Sequence, residues 1–147
     1  MAGTVIAVCI STERGTAKRN AGEGYLKEDF GLVGDSHAGS PRQISLLMWE
    51  SVARFTQEHG LKPQPGDFAE NILTRGIDLK EAKPGMRLQA GEGILEVIQI
   101  GKEERPYHYS FHGFRLLAAE GVFCRVVKGG RVRVGDPIKT VDAGRAE

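Results

Sequence analysis

The chain has 147 residues, and its 20 Lys and Arg against 19 Asp and Glu leave a formal net charge of +1. That is the length of a single domain, spanning 1–147, and it allows roughly two-thirds of the unfolded surface to be buried without disulfide or metal staples. The balanced charge argues against a nucleic-acid binder, and with no apolar run near the ~18 residues of a membrane span and no leader-like start we expect a cytoplasmic protein without membrane partners.

The chain contains 20 Gly and 6 Pro, well above a usual combined share of about 12%, which points to many tight turns rather than long helices. Thr4 to Ile10 (TVIAVCI) is apolar and β-branched and predicts a buried strand. Ser11 to Gly24 has no apolar periodicity and reads as a mobile loop. Tyr25 to Phe30 predicts a strand, Gly31 to Gly39 an irregular stretch, and Arg42 to Met48 another strand. In Trp49 to His59, Val52, Phe55 and Thr56 share one side at helical spacing and Gly60 supplies a C-cap, so this is the best helix. Asn71 to Thr74 predicts a strand that Gly76 interrupts, and Ile77 to Gly85 a short helical or 3₁₀ turn. Met86–Ala90 and Ile94–Ile100 read as a hairpin around Gly91–Gly93. Phe114 to Glu120 is a modest helix. Val122–Val127 and Arg131–Val134, joined by Gly129-Gly130, read as the clearest hairpin, and Ile138 to Val141 as the last strand before a frayed tail, 142–147. The expected fold is mainly β, a closed or partly closed barrel with one or two short helices.

Three polar clusters could carry chemistry. Asp35 and His37, in Gly34-Asp35-Ser36-His37-Ala38-Gly39, lie close to Arg42 and Gln43. Arg42 suits bidentate phosphate binding, and His37 can donate to a ligand or shuttle a proton. Asp35 and His37 alone are too few for a metal site. Glu70 and Asn71 are adjacent, so in extended backbone one of them faces inward and needs a partner. In Arg105 to His112, His108 and His112 would share a face if helical, which Pro106 disfavours; the alternatives are ligand stacking by the aromatics and, favoured over both, their partial burial at a barrel mouth.

Of the two cysteines, Cys9 lies in an apolar strand and reads as inert. Cys124 alternates with Val122 and Val126, which makes it a small buried group; a reactive thiolate there would require exposure and a neighbouring positive charge. A sulfur sealed among Val122 and Val126 would remove every thiol-based mechanism.

Taken in order, Gly31 to Gly39 with Arg42 to Leu47, Pro65 to Ile72 with Arg75 to Leu79, Gly85 to Leu88, Ile100-Gly101-Lys102, and Gly121 to Gly130 through Asp136 resemble the MOSC domain, named from the C-terminus of molybdenum cofactor sulfurases. The resemblance implies a barrel like that of the pyruvate kinase barrel domain. It also implies binding or handling of the molybdenum cofactor (molybdopterin), a pterin with a dithiolene-bound metal and a phosphate. Carried over by position, the family's polar signature falls on Gly34, Asp35, His37, Arg42, Gln43, Glu70 and Asn71. Many members have a cysteine after the segment matching Ile100-Gly101-Lys102, thought to accept or relay sulfur; here Glu103 to His108 contains none, and Cys124 does not simply inherit that role. The chain is too short to add the pyridoxal-phosphate desulfurase domain of full-length sulfurases.

The expectation is therefore a cofactor-binding domain in which Arg42 holds the phosphate and Asp35, His37, Gln43, Glu70 and Asn71 shape a pocket at one end of the barrel, serving sulfur transfer or cofactor delivery. Cys124 is the candidate catalytic sulfur carrier. The alternatives are an adaptor that docks to a cysteine desulfurase or a molybdoenzyme, and a cofactor-dependent reductase of N-hydroxylated compounds.

Overall fold

Strand β1 (Ala2–Ile10) is the longest in the protein and the one through which the sheet closes on itself. The structure, a computed structural model, describes residues 1–142. Of the expected tail 142–147, only Asp142 falls among the described residues. The remaining strands are β2 (Arg19–Asn20), β3 (Glu23–Lys27), β4 (Gly31–Leu32), β5 (Ile44–Met48), β6 (Ile72–Arg75), β7 (Arg87–Ala90), β8 (Gly93–Ile100), β9 (Val122–Lys128), β10 (Gly130–Arg133) and β11 (Pro137–Val141). The helices are α1 (Trp49–His59) and α2 (Leu116–Glu120), with a 3₁₀ turn at Leu79–Glu81.

Seven strands pair in the order β1-β6-β5-β9-β8-β7-β11, and β11 returns to β1, so the sheet is a closed barrel. Closure removes exposed strand edges. The β5–β6 pair is parallel and is joined by α1, while the other barrel pairs are antiparallel. A parallel return needs such a crossover.

Helix α1 has the predicted limits. It ends where Gly60 adopts φ 70° and its N–H bonds to the Thr56 carbonyl. Beneath it, every residue of β5 is buried, because alternate side chains face two different cores. Ile44 and Leu46 point into the barrel with Val5, Ile72, Leu95, Val122, Cys124 and Val126. Leu47 belongs to a second cluster outside the wall, with Val52, Phe55, Phe68, Leu117 and Phe123. An interior packed with apolar side chains has no room for a polar site.

Two expectations are corrected. Strands β9 and β10 do not form a hairpin: β9 is already paired with β5 on one edge and β8 on the other, so β10 pairs with β3 in a separate three-stranded sheet, β10-β3-β4. The segment read as a mobile loop, Ser11 to Gly24, contains β2, paired to β1, and a buried Lys18.

Candidate functional site

A cavity of about 360 Å³ lies against the outer face of the barrel wall rather than at its end. The wall contributes Ser45, Asn71 and Phe123, whose neighbours Ile44, Leu46, Ile72, Val122 and Cys124 face the barrel interior. Loops and α2 supply the rest, including Arg14, His37, Arg42, Phe68, Lys102, His108, Tyr109, Arg115 and Leu117. The polar groups lie outside because the interior is filled.

Beneath the cavity is a buried ion pair. Lys18 Nζ is 2.8 Å from Asp35 Oδ1, with the two side chains 1% and 0% exposed. Asp35 also accepts from the backbone N–H groups of Ser11 and His37, both at 3.1 Å. Burial opposes its ionisation, but the Lys18 hydrogen bond and charge and the two N–H donors outweigh it and hold the carboxyl below its ordinary value. A carboxylate buried with its cation and saturated by donors is not available to a ligand. Asp35 shapes the loop, and His37 is the neighbour that reaches the cavity.

Burial, followed by the charge of Lys18, lowers the pKa of His37 to about 4, so its ring is neutral near pH 7. Lys102 is also lowered, by burial and then by Arg42. The Arg42 guanidinium and the Lys102 ammonium lie over the Phe123 ring, at 5.7 Å and 5.8 Å from its centroid. Arg115 reaches back to the carbonyls of Pro106 and His108. Among the described residues no Asp or Glu lines the cavity. Four cations without a lining carboxylate give the cavity the charge that suits an anion.

The loop before β6 holds the other predicted pair. Asn71 accepts at Oδ1 from the N–H of Ser45 at 3.0 Å and donates from Nδ2 to the carbonyl of Cys9 at 3.0 Å, tying three segments together at the cavity wall. Glu70 turns the other way. It is 1% exposed and accepts from the N–H groups of Gly66 at 2.7 Å and Phe68 at 3.2 Å. Burial raises its pKa to about 7, against the pull of those backbone donors. Glu70 thus holds its own loop and does not line the cavity.

The structure therefore brings His37, Arg42 and Asn71 to the cavity, with Asp35 behind His37. Gln43 is elsewhere: its Nε2 donates to Asp29 and its Oε1 accepts from the N–H of Val126, a link from β9 to the β3–β4 turn. Cys124 is 0% exposed within the barrel core, on the face of β9 opposite to that from which Phe123 meets the cavity. Burial pushes its thiol pKa up, as it does for Cys9. The sulfur is sealed among valines and is not reached from the cavity. His108 lines the cavity and His112 does not, since the segment is not helical.

Sequence reasoning missed Lys18, Arg14, Lys102 and Arg115. Lys102 belongs to the Ile100-Gly101-Lys102 stretch of the family resemblance, which gives it no role of its own. Lys18 had only a chemical signal: a carboxylate buried at Asp35 requires a cation.

Comparison with known proteins now decides the family. The sequence model described as MOSC domain matches residues 33–106, half of the chain. The chain belongs to the MOSC domain family. No curated protein matches it. Among solved structures, this MOSC domain resembles the YuaD protein from Bacillus subtilis, with a TM-score of 0.73 at 19% identity over 94% of each chain. It also resembles YiiM from Escherichia coli, with a TM-score of 0.69 at 22% identity, covering 97% of this chain and 70% of that one. YiiM from Geobacillus stearothermophilus gives 0.67 at 16%, covering 95% and 73%. These likenesses carry the fold, and the family membership suggests a role related to the molybdenum cofactor.

Proposed function

We propose that this MOSC domain binds the molybdenum cofactor, or a related pterin phosphate, in the cationic cavity and holds it for delivery to, or use with, a partner such as a cysteine desulfurase or a molybdoenzyme. The observation that supports this reading is a cavity of about 360 Å³ with Arg14, Arg42, Lys102 and Arg115 on its walls and no carboxylate among its described lining residues.

The donor set suits such a ligand. A phosphate is matched by the fork of Arg42 and the point charge of Lys102. A flat heterocycle is matched by Phe123, Tyr109 and His108, and His108 Nδ1 is buried with no hydrogen-bond partner among the described residues, which leaves a polar atom for a ligand to satisfy. Among the described residues no group of three His, Cys, Asp or Glu is placed to hold a metal, so the metal would be carried by the cofactor's own dithiolene. When bound, the cofactor supplies the sulfur or redox chemistry. The protein's residues bind and orient it: Asn71 and the Lys18–Asp35 pair hold the walls, and the cations neutralise the phosphate. With Cys124 and Cys9 buried, neither thiol has a place in the reading.

The test is to purify the protein from cells that make the cofactor and to measure bound molybdenum and pterin. Bound pterin is expected, reduced in Arg42→Gln and Lys102→Gln and retained in Cys124→Ala. A protein that carries no pterin and takes up none on reconstitution would overturn the reading.

A further inference from the structure

The ammonium of Lys18 has three N–H donors, and the structure accounts for all of them: Asp35 Oδ1 at 2.8 Å, Ser11 Oγ at 3.2 Å and His37 Nδ1 at 3.3 Å. An ammonium only donates, so His37 Nδ1 must meet it with a lone pair. A neutral imidazole carries one proton, which then resides on Nε2. Ser36 Oγ, 3.5 Å from the same Nδ1, is a hydroxyl and can donate as well. Nε2 has no protein partner among the described residues, and the ring borders the cavity.

We propose that Lys18 is a positioning residue that locks His37 as the Nε2–H tautomer, so that His37 offers the cavity a fixed, neutral donor and recognises a hydrogen-bond acceptor oxygen on the ligand. A general base or a metal ligand at this position would need a lone pair on Nε2, and the proton occupies it. The charged groups facing the ring are Lys18, Asp35, Arg14 and Lys102. Asp35 Oδ2 lies 4.0 Å from Nδ1 and would favour a charged ring, but it already accepts from the His37 N–H, and its carboxylate is neutralised by Lys18. Burial and three cations prevail, and the ring stays neutral down to about pH 4. The inference holds for any anionic ligand and does not depend on that ligand being the molybdenum cofactor.

The test uses the full chain with ¹⁵N-labelled histidine, followed by long-range ¹H–¹⁵N correlation from pH 8 to pH 5, with His37→Gln assigning the ring among the four histidines. An unprotonated Nδ1 and a protonated Nε2, unchanged across the range, are expected. An Nδ1–H ring, a tautomer mixture, or a midpoint near the ordinary ~6.5 would overturn the proposal, and this arm reads the wild-type ring, with the variant serving only for its assignment. In the paired Lys18→Met, Asp35→Asn variant, which removes both buried charges, the ring is expected to become a mixture and to titrate closer to that value. A ring that stays locked there would overturn the role of Lys18. Inorganic phosphate, added to the wild type as the probe, is expected to shift Nε2 and leave Nδ1 in place; no shift of Nε2 would overturn the acceptor role.

Discussion

Glu70 shows how much a single side chain can bear on a loop beside the cavity. Its carboxyl is 1% exposed, accepts two backbone N–H bonds, and has a pKa raised to about 7, burial being the main cause. In the unfolded chain a glutamate titrates near ~4.3. Between these values the unfolded state has released its proton and the folded state still holds it, so stability falls as pH rises through about 4.3 to 7 and levels off above. The span corresponds to roughly 4 kcal/mol at most. Asp35 behaves in the opposite sense, because its lowered pKa contributes stability that is lost as pH falls below the ordinary carboxylate range. Glu70→Gln should remove the decline between pH 4.3 and 7, while its amide, facing donors, costs about 1–3 kcal/mol at pH 5. Urea midpoints of both proteins at pH 5 and pH 7.5 check this. The same decline in both would show that Glu70 is not its source. Strand alternation alone predicts that one of Glu70 and Asn71 faces inward and the other outward; instead both are buried, Asn71 at the cavity on the outer face of the wall and Glu70 against its own loop, because the loop before β6 departs from extended backbone, with φ 65° at Ala69.

At the scale of elements, the contact between two loops matters most. Gly66 has φ 90°, accepts the Lys18 N–H at its carbonyl, and has no space for a side chain: a Cβ there would lie 2.0 Å from the Lys18 carbonyl oxygen. Gly34 also has positive φ, 89°, but open space around it. Gly34→Ala should therefore cost only the strain of the left-handed backbone, about 1 kcal/mol. Gly66→Ala adds a backbone clash, about 1–3 kcal/mol more, and displaces the segment that carries Lys18 and supports His37. Thermal or urea unfolding of the two variants, with the His37 ring spectrum, separates them; equal costs and an unchanged ring would refute the coupling. Elements with local causes were legible in the sequence. Helix α1 announced both its apolar face and its stop at Gly60, and the β7–β8 hairpin its turn. The β9–β10 hairpin was misread because strand pairing depends on which edges are free, and β5 and β8 occupy both edges of β9. Lys18 was missed for a similar reason: its partner Asp35 is 17 residues away, and a charged, Gly-punctuated stretch gives no periodic sign of a buried cation.

For the molecule as a whole, a net charge of +1 conceals a strong local field. Four cations meet at one cavity whose described lining has no carboxylate, against an apolar wall that contains Phe123 and Leu117. Low-dielectric walls focus such a field on the opening, and the overall balance is restored by acidic groups elsewhere. Closure of the barrel requires this arrangement, since its interior is packed with apolar side chains and leaves polar function to the outer face. Binding of a phosphate ester should therefore weaken as salt rises and the screening length falls from ~10 Å at 0.1 M toward ~3 Å at 1 M. Replacing one charged donor removes hydrogen bonds worth about 1.5–3 kcal/mol, so Arg42→Gln and Lys102→Gln should each weaken binding at least about tenfold and flatten the salt dependence. Because both cations lie over the ring of Phe123, at 5.7 Å and 5.8 Å, their losses should not add in the double variant. Calorimetric titration with inorganic pyrophosphate at 0.05 M and 0.5 M salt measures this, with Arg133→Gln, on a strand away from the cavity, as the control. Affinity indifferent to salt, or reduced as much by the control as by the cavity variants, would place the anion site elsewhere.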